Sequence, residues 1–224
     1  MDKVPFSAYD FFAYLSSGAV LVTAGDYIWN LKLLSQREIS SALAVVLIIV
    51  AYVIGQIVAQ FSSLAFEQFI VHRVLKRPIA LLLGGQARWK AFKWVFPNYH
   101  RPLPDNTQRR VHMQLSARQF PADGEALFLH VYSIVAADGR LQSRLDGFRN
   151  QYGFARNMAF AFLLSAGAIC TEHWYGEHAV ALRWALLCAF AGLSLFYRYL
   201  KFFRQYSYEL LLRYAELPIP NDNA

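Results

Sequence analysis

From Ile39 to Phe61 the chain reads ISSALAVVLIIVAYVIGQIVAQF, without one charged residue. A helix of that length matches the roughly 20 residues needed to cross the hydrocarbon core of a bilayer. A soluble core could absorb one such run, so the clustering of further apolar runs decides the matter. Asn157–Thr171 is free of charge and is extended by residues 153–155 beyond Arg156, and Ala179–Tyr197 holds only Arg183. The opening stretch AYDFFAYLSSGAVLVTAGDYIW, residues 8–29, is a fourth candidate with Asp10 and Asp26 near its ends. With 56 % of residues hydrophobic and 17 % charged, the composition is also more apolar than a soluble domain needs.

The expected fold class is therefore an all-α integral membrane protein, with four transmembrane helices and a helical cytoplasmic segment between spans 2 and 3. The expected boundaries are 9–30, 39–66, 153–172 and 179–199 for the spans, 67–152 for the segment and 200–224 for a helical extension and tail. The start Met1-Asp2-Lys3 lacks a basic n-region and no A-x-A site follows the first apolar run, so the first span is expected to be retained.

Lysine and arginine collect on the cytoplasmic side of membrane proteins. Here they are dense between spans 2 and 3, from Arg73 to Arg149, and return after span 4 as Lys201, Arg204 and Arg213. The turn EHWYGEH between spans 3 and 4 has two glutamates and neither lysine nor arginine. Lys32 and Arg37 argue weakly the other way. An even number of spans then puts both termini and the central segment in the cytoplasm. The net charge of +7 is explained by anionic headgroups, and no nucleic acid polymer is expected as a partner.

Within the segment, IALLLGG (residues 79–85) is apolar but too short to span. Asp105 or Asn106 could cap a helix through QRRVHMQLSA, and Gly139 is the expected break before a helix leading into span 3. Beyond span 4, Tyr197, Tyr199, Phe202, Phe203 and Tyr206 suit an interfacial aromatic belt.

Four features could carry function. Small residues recur every four positions, as Ala51, Gly55 and Ala59 in span 2 and Ala181, Ala185 and Ala189 in span 4, with Gly18 in a small-residue patch of span 1. Such stripes let helix backbones approach in lipid, within one bundle or between subunits. Tyr52, Gln56, Gln60, Ser63 and Glu67 fall four, four, three and four apart, on one helix face. Polar side chains there need partners or water, so this stripe reads either as interhelical hydrogen bonding or as the wall of a pathway between several copies. Arg88, Trp89, Lys90, Lys93 and Trp94 interleave cations with rings, as an interfacial helix on anionic lipid does; a nucleotide-type ligand is the alternative. Lastly, the charges at the span ends suggest interfacial ion pairs. Asp10 and Asp26 are 16 residues apart, about 24 Å along a helix, so each can sit at one interface. Arg156 is then a partner for Asp10 or Glu67 on the inner side, and Lys32 or Arg183 for Asp26 on the outer.

Chemistry-bearing motifs are missing. No G-x-S-x-G, P-loop or H-E-x-x-H occurs, and the expectation is a protein that is not an enzyme. No cofactor is expected. His173 and His178 beside Glu172 and Glu177 are too weak a grouping to assign a metal. Cys170 and Cys188 flank the outer turn; a bridge is conceivable there, but free cysteines pack as small apolar residues.

With its aromatic-acidic entry AYDFFAYL, this layout resembles the small multi-span effectors of bacterial anti-phage defence systems. The resemblance implies a bacterial inner membrane, a cytoplasmic part that senses a signal, and a membrane part that damages or depolarises the bilayer. It carries no functional residues over. The function expected is a homo-oligomeric channel or pore-forming effector gated through its cytoplasmic segment. The alternatives are a membrane scaffold or sensor that recruits a cytoplasmic protein and has no ion pathway, and a membrane enzyme of lipid metabolism.

Overall fold

A computed structural model describes residues 8–34, 39–86, 89–121, 124–135, 139–176 and 180–218. Regular structure among them is entirely helical: α1 (Ala8–Ile28), α2 (Ser41–Ser62), a π-helical segment (Ser63–Leu75), α3 (Pro78–Leu82), α4 (Lys90–Val95), α5 (Asp105–Ala117), α6 (Gly124–Val135), α7 (Gly139–Tyr175) and α8 (Leu182–Glu216). Four helical stretches, Phe11–Ile28, Ser41–Leu82, Gln142–Tyr175 and Leu182–Glu216, are long and apolar enough to cross a membrane. The chain divides into two compact units, Met1–Glu67 with Tyr152–Tyr199, and Gln68–Gln151 with Leu200–Ala224.

In the first unit α1 and α2 meet backbone to backbone. A Cβ placed on Gly18 would overlap the carbonyl oxygen of Ala51, and one on Gly55 would overlap that of Tyr14. Only glycine leaves room for this reciprocal contact, in which Cα–H groups face carbonyls. Ala51 and Gly55 are buried beside it, and Tyr52 closes its flank with rings 5.2 Å from Phe11 and 6.2 Å from Tyr14. Further along, a Cβ on Gly192 of α8 would press on Leu163 of α7. Ala185 is buried in a cluster with Ile28, Ile169 and Val180, against which Cys170 and Cys188 pack; both cysteines are free. The connection after α7 is pinned by His173, whose Nδ1–H donates to the Val180 carbonyl at 2.9 Å, and by Tyr27, whose hydroxyl accepts from the Ala181 amide at 2.8 Å.

The outer faces of this unit are apolar. Val45, Val46, Ile49, Val53 and Ile57 of α2, and Leu186, Leu187, Phe190 and Leu193 of α8, are all exposed. Contiguous aliphatic faces of this kind are foreign to a water-facing monomer and belong against lipid or another protein.

Helix α2 does not stop at the end of its apolar run. From Ser63 it widens into a π-helix of 13 residues, far longer than the single-turn bulges in which this geometry usually appears. The buried positions show what the widening achieves. Phe66, Val71 and Leu75 are buried and lie five and four residues apart, a spacing that i→i+5 bonding keeps on one face. In an α-helix five residues would turn a side chain about 140° off that face. The segment ends where Lys76 takes a left-handed φ of 70°, its carbonyl accepting from the Tyr99 hydroxyl at 2.9 Å.

The second unit has a core of its own. Ile79, Leu81 and Leu82 of α3 are buried with Leu103, Val111, Leu115, Leu127, Val131, Leu145, Leu210, Leu211 and Tyr214, so IALLL serves as an interior turn of helix. Its end is closed by Leu103, whose amide donates to the Leu82 carbonyl at 2.9 Å, and by Gln108, whose amide nitrogen donates to the Leu83 carbonyl at 2.8 Å. Two expectations are corrected. Asp105 does not cap α5 but opens its first turn, with Pro104 at the cap position and no side-chain cap bond; proline pre-sets the backbone there. Tyr199 and Tyr206 do not form an interfacial belt: they are 0 % and 4 % exposed, Tyr199 packed among Phe66, Tyr152 and Phe196 of the first unit and Tyr206 in the core of the second. Tyr206 sits 6.1 Å from the Phe128 ring, and Arg118 lies over Tyr214. Buried Glu209 is met by Arg144 at 3.2 Å.

His130 stacks on Phe120 at 4.1 Å and lies edge-on to Tyr214. Burial and the nearby Arg118 guanidinium lower its pKa; burial and Lys93 do the same for His100, whose two ring nitrogens are buried without a hydrogen-bond partner among the described residues.

Two predictions follow from this packing. Gly18→Val or Gly55→Val is expected to cost about 1–3 kcal/mol or more, or roughly 2–12 °C of Tm. Gly153→Ala, where a Cβ meets nothing within 4 Å, is expected to leave Tm unchanged or raise it; scanning fluorimetry of the purified protein makes the comparison. For the second unit, a folded-state histidine pKa below the ordinary value of about 6.5 means that the unfolded chain binds the proton more readily. Stability is full above about pH 6.5 and falls as pH drops toward the folded pKa. His130→Phe should flatten that decline between pH 7 and 5 in denaturant titrations, and an unchanged slope would refute the assignment.

Candidate functional site

The polar atoms that need most explanation lie in the first unit, where α2 turns into the π-helix beside α7. Ser62 is 0 % and Asn157 3 % exposed. Ser62 Oγ stands 2.7 Å from Asn157 Oδ1 and 2.9 Å from the Ala59 carbonyl, so its single proton serves one of the two. Arg156 spreads its fork across the pair. Nε lies 3.1 Å from Ser62 Oγ and 3.2 Å from Asn157 Oδ1, and Nη2 donates to the same Oδ1 at 3.2 Å. Its Nη1 makes an ion pair with Glu67 Oε1. Ser63 Oγ donates to the other oxygen, Oε2, at 3.2 Å.

Local structure explains why these groups meet. Ser62 ends the α-helical part of the strand of apolar residues and shares its buried face with Ala51, Gly55 and Val58. The slower turn of the π-helix then swings Glu67 toward that face instead of away from it. On α7, Arg156 and Asn157 are successive, so they straddle the contact line rather than share one side of it. Arg156 is 19 residues before Tyr175 at the other end of α7, about 29 Å along a helix. That separation is one hydrocarbon thickness.

The side chains of Arg156 and Glu67 are 14 % and 27 % exposed, leaving the pair mostly enclosed. Each donor of the guanidinium named above has an acceptor, and each carboxylate oxygen has a donor. Ser62 Oγ has carbonyl, amide and guanidinium neighbours rather than a base. The arrangement is a closed charge-neutral latch between α2 and α7.

The expected site residues are distributed as follows. Of the two partners considered for Arg156, the structure brings Glu67. The Asp10 side chain lies outside the described ones. Asp26 is not paired with Arg183: its two oxygens accept from the amides of Leu33 at 2.8 Å and Leu34 at 3.3 Å, and the Arg183 guanidinium lies 5.8 Å from the Trp184 ring. Asp26 thus turns the chain after α1, where Asn30 and Lys32 adopt left-handed φ.

The stripe Tyr52–Gln56–Gln60–Ser63–Glu67 does not act as one surface. Tyr52 packs on α1, Ser63 and Glu67 join the latch, and Gln56 and Gln60 alone are exposed. Of the small residues, Gly18, Ala51 and Gly55 meet in the α1/α2 contact and Ala185 lies in the core near α1 and α7, while Ala59, Ala181 and Ala189 are half-buried. Around α4, Arg88 and the Lys90 side chain lie outside the described set, and Trp89, Trp94 and Lys93 are exposed, Trp94 at 87 %. No group of three potential metal ligands occurs among the described residues.

Sequence reasoning did not single out Ser62 or Gly192. Ser62 continues the buried α-helical spacing of Ala51, Gly55 and Val58, a signal that the four-residue stripe through Ala59 passed over. Comparison with known protein families, characterised proteins and solved structures finds no match to this chain.

Removing one charge of the latch should destabilise the protein, because it strands the other in an enclosed site. Glu67→Gln and Arg156→Gln are each expected to lower stability, and a double-mutant cycle should return a coupling of about 1–3 kcal/mol. The exchange Glu67→Arg with Arg156→Glu should recover part of the loss. A coupling indistinguishable from zero would show that the two do not act as a pair.

Proposed function

We propose that the chain is a four-span integral membrane protein of the bacterial inner membrane, with both termini and the second unit in the cytoplasm, and that its copies assemble into a gated channel or pore. Embedding is supported by the exposed aliphatic faces of α2 and α8, and orientation by the lysines and arginines of the second unit. The observation that carries assembly is the exposure of Gln56 and Gln60 on the outer face of α2, among exposed Val53, Ile57 and Phe61. Gln56 lies six residues, about 9 Å, from Ser62 toward the middle of the span. A carboxamide held there against lipid is costly; against a second copy or a water-filled pathway it is satisfied.

In this reading the latch is the gate's anchor. The π-helical segment and α7 both carry latch residues and both run on into the cytoplasmic unit, so a signal received there bears on Glu67 and Arg156 through continuous helices. An effector that dissipates the membrane potential, as the resemblance to defence effectors implies, is the role such a pathway would serve. The scaffold reading draws on one observation, the exposed Trp89, Lys93 and Trp94 around α4, which would suit a cytoplasmic partner.

Reconstituted protein is expected to form oligomers whose Gln56→Cys variant, with Cys170 and Cys188 replaced by alanine, crosslinks between copies. Ion flux across the liposomes should appear and fall at least several-fold in Gln56→Leu/Gln60→Leu. Monomeric protein, or flux indifferent to both substitutions, would sink the pathway and leave the scaffold.

A further inference from the structure

A groove of about 500 Å³ opens in the first unit between α1, α7 and α8. Its volume is that of a small-molecule site, yet its walls offer almost nothing to a polar ligand. Ala19 and Ala24 of α1 hollow out one side. The three hydroxyls that line it are already engaged: Thr23 Oγ donates to the Ala19 carbonyl at 2.8 Å, Ser165 Oγ donates to the Ala161 carbonyl at 2.9 Å, and the Tyr27 hydroxyl accepts from the Ala181 amide at 2.8 Å. The aromatic wall is Trp184, at the start of α8.

The rim differs in kind from the walls. Arg183 is exposed immediately beside Trp184, with its guanidinium against the indole. Among the described residues Arg183 forms no ion pair, and the Asp26 oxygens accept from the Leu33 and Leu34 amides. Hydrocarbon space below a planar cation is the complement of an amphiphile with an anionic head. Arginine binds a phosphate in bidentate fashion, and the apolar walls accept a hydrocarbon chain without stranding a polar group.

We infer that this groove holds one acyl chain of an anionic phospholipid of the outer leaflet, with its phosphate at Arg183. The proposal rests on the membrane embedding and orientation proposed above but not on a pathway or on assembly. It also accounts for the small residues Ala19 and Ala24, which the α1/α2 contact does not use. A chain seated there lies against α1, α7 and α8 beside the cluster of Ile28, Ile169 and Ala185 and is part of the packed unit, unlike the exchanging lipid around it.

The test reads Trp184 fluorescence in proteoliposomes, with Trp29, Trp89, Trp94 and Trp174 replaced by phenylalanine. Phospholipids brominated on the acyl chain quench a tryptophan they touch. Brominated phosphatidylglycerol in a phosphatidylcholine bilayer should quench Trp184 saturably at low mole fraction, at least threefold more than brominated phosphatidylcholine at equal content. Arg183→Gln should abolish that preference and keep quenching. Ala24→Leu, which fills the groove, should remove the saturable phase while Tm is retained. Quenching that only tracks bulk mole fraction, for both headgroups, would overturn the proposal. So would saturable quenching that Ala24→Leu leaves intact, or a groove that takes free oleate in place of phospholipid. Flotation of the vesicles with the protein shows embedding separately, so failure of embedding and failure of the lipid site are told apart.

Discussion

A guanidinium can be enclosed among apolar helices only if its charge is met and its nitrogens find acceptors, and the first unit supplies both for Arg156, each of whose three nitrogens has an acceptor. Glu67 supplies the opposite charge, while Ser62 and Asn157 supply acceptors. The demand fixes the rotation of both helices. Asn157 must follow Arg156 on α7, and Glu67 must turn inward, which an α-helix continuing from Ser62 would not allow. The π-helical segment is the backbone's answer: it accepts a less favourable ladder over 13 residues so that the carboxylate reaches the cation and Phe66, Val71 and Leu75 stay on the buried side.

The rest of the unit is held by a different force. Its helices are as apolar on their outer faces as between one another, so apolar burial distinguishes little and close backbone packing decides which faces meet. Gly18 and Gly55 provide it between α1 and α2, and Gly192 provides it between α8 and α7. Steric fit at three glycines and one neutralised charge thus do what an oil-like core does in the second unit, where leucines and aromatic rings from five helices fill the interior.

These two regimes differ in how openly the sequence displays them. Apolar length is additive, so the four long helices could be read directly from runs such as Ile39–Phe61. The glycine contacts were half legible: the four-residue spacing named Ala51 and Gly55, but the spacing in span 4 pointed to three alanines and passed over Gly192. Helix rotation was least legible, because a period of 3.6 was assumed through a segment that does not keep it. That assumption grouped Gln56 and Gln60 with Ser63 and Glu67, which the change of helix type parts. Tyr199 and Tyr206 failed as belt residues for a related reason: a ring suits a headgroup zone and a protein core equally well, and only the packing around α8 distinguishes them.

The latch also has a consequence in time. Gly18 and Gly55 are both made early, so the first two helices can zip together while the chain is still short. Glu67 emerges with them, but the arginine that neutralises it comes 89 residues later. At about 5–20 residues per second the carboxylate waits roughly 4–18 seconds for its partner. During that interval the latch is incomplete, so the end of the apolar helix that carries Glu67 settles only once α7 has been made.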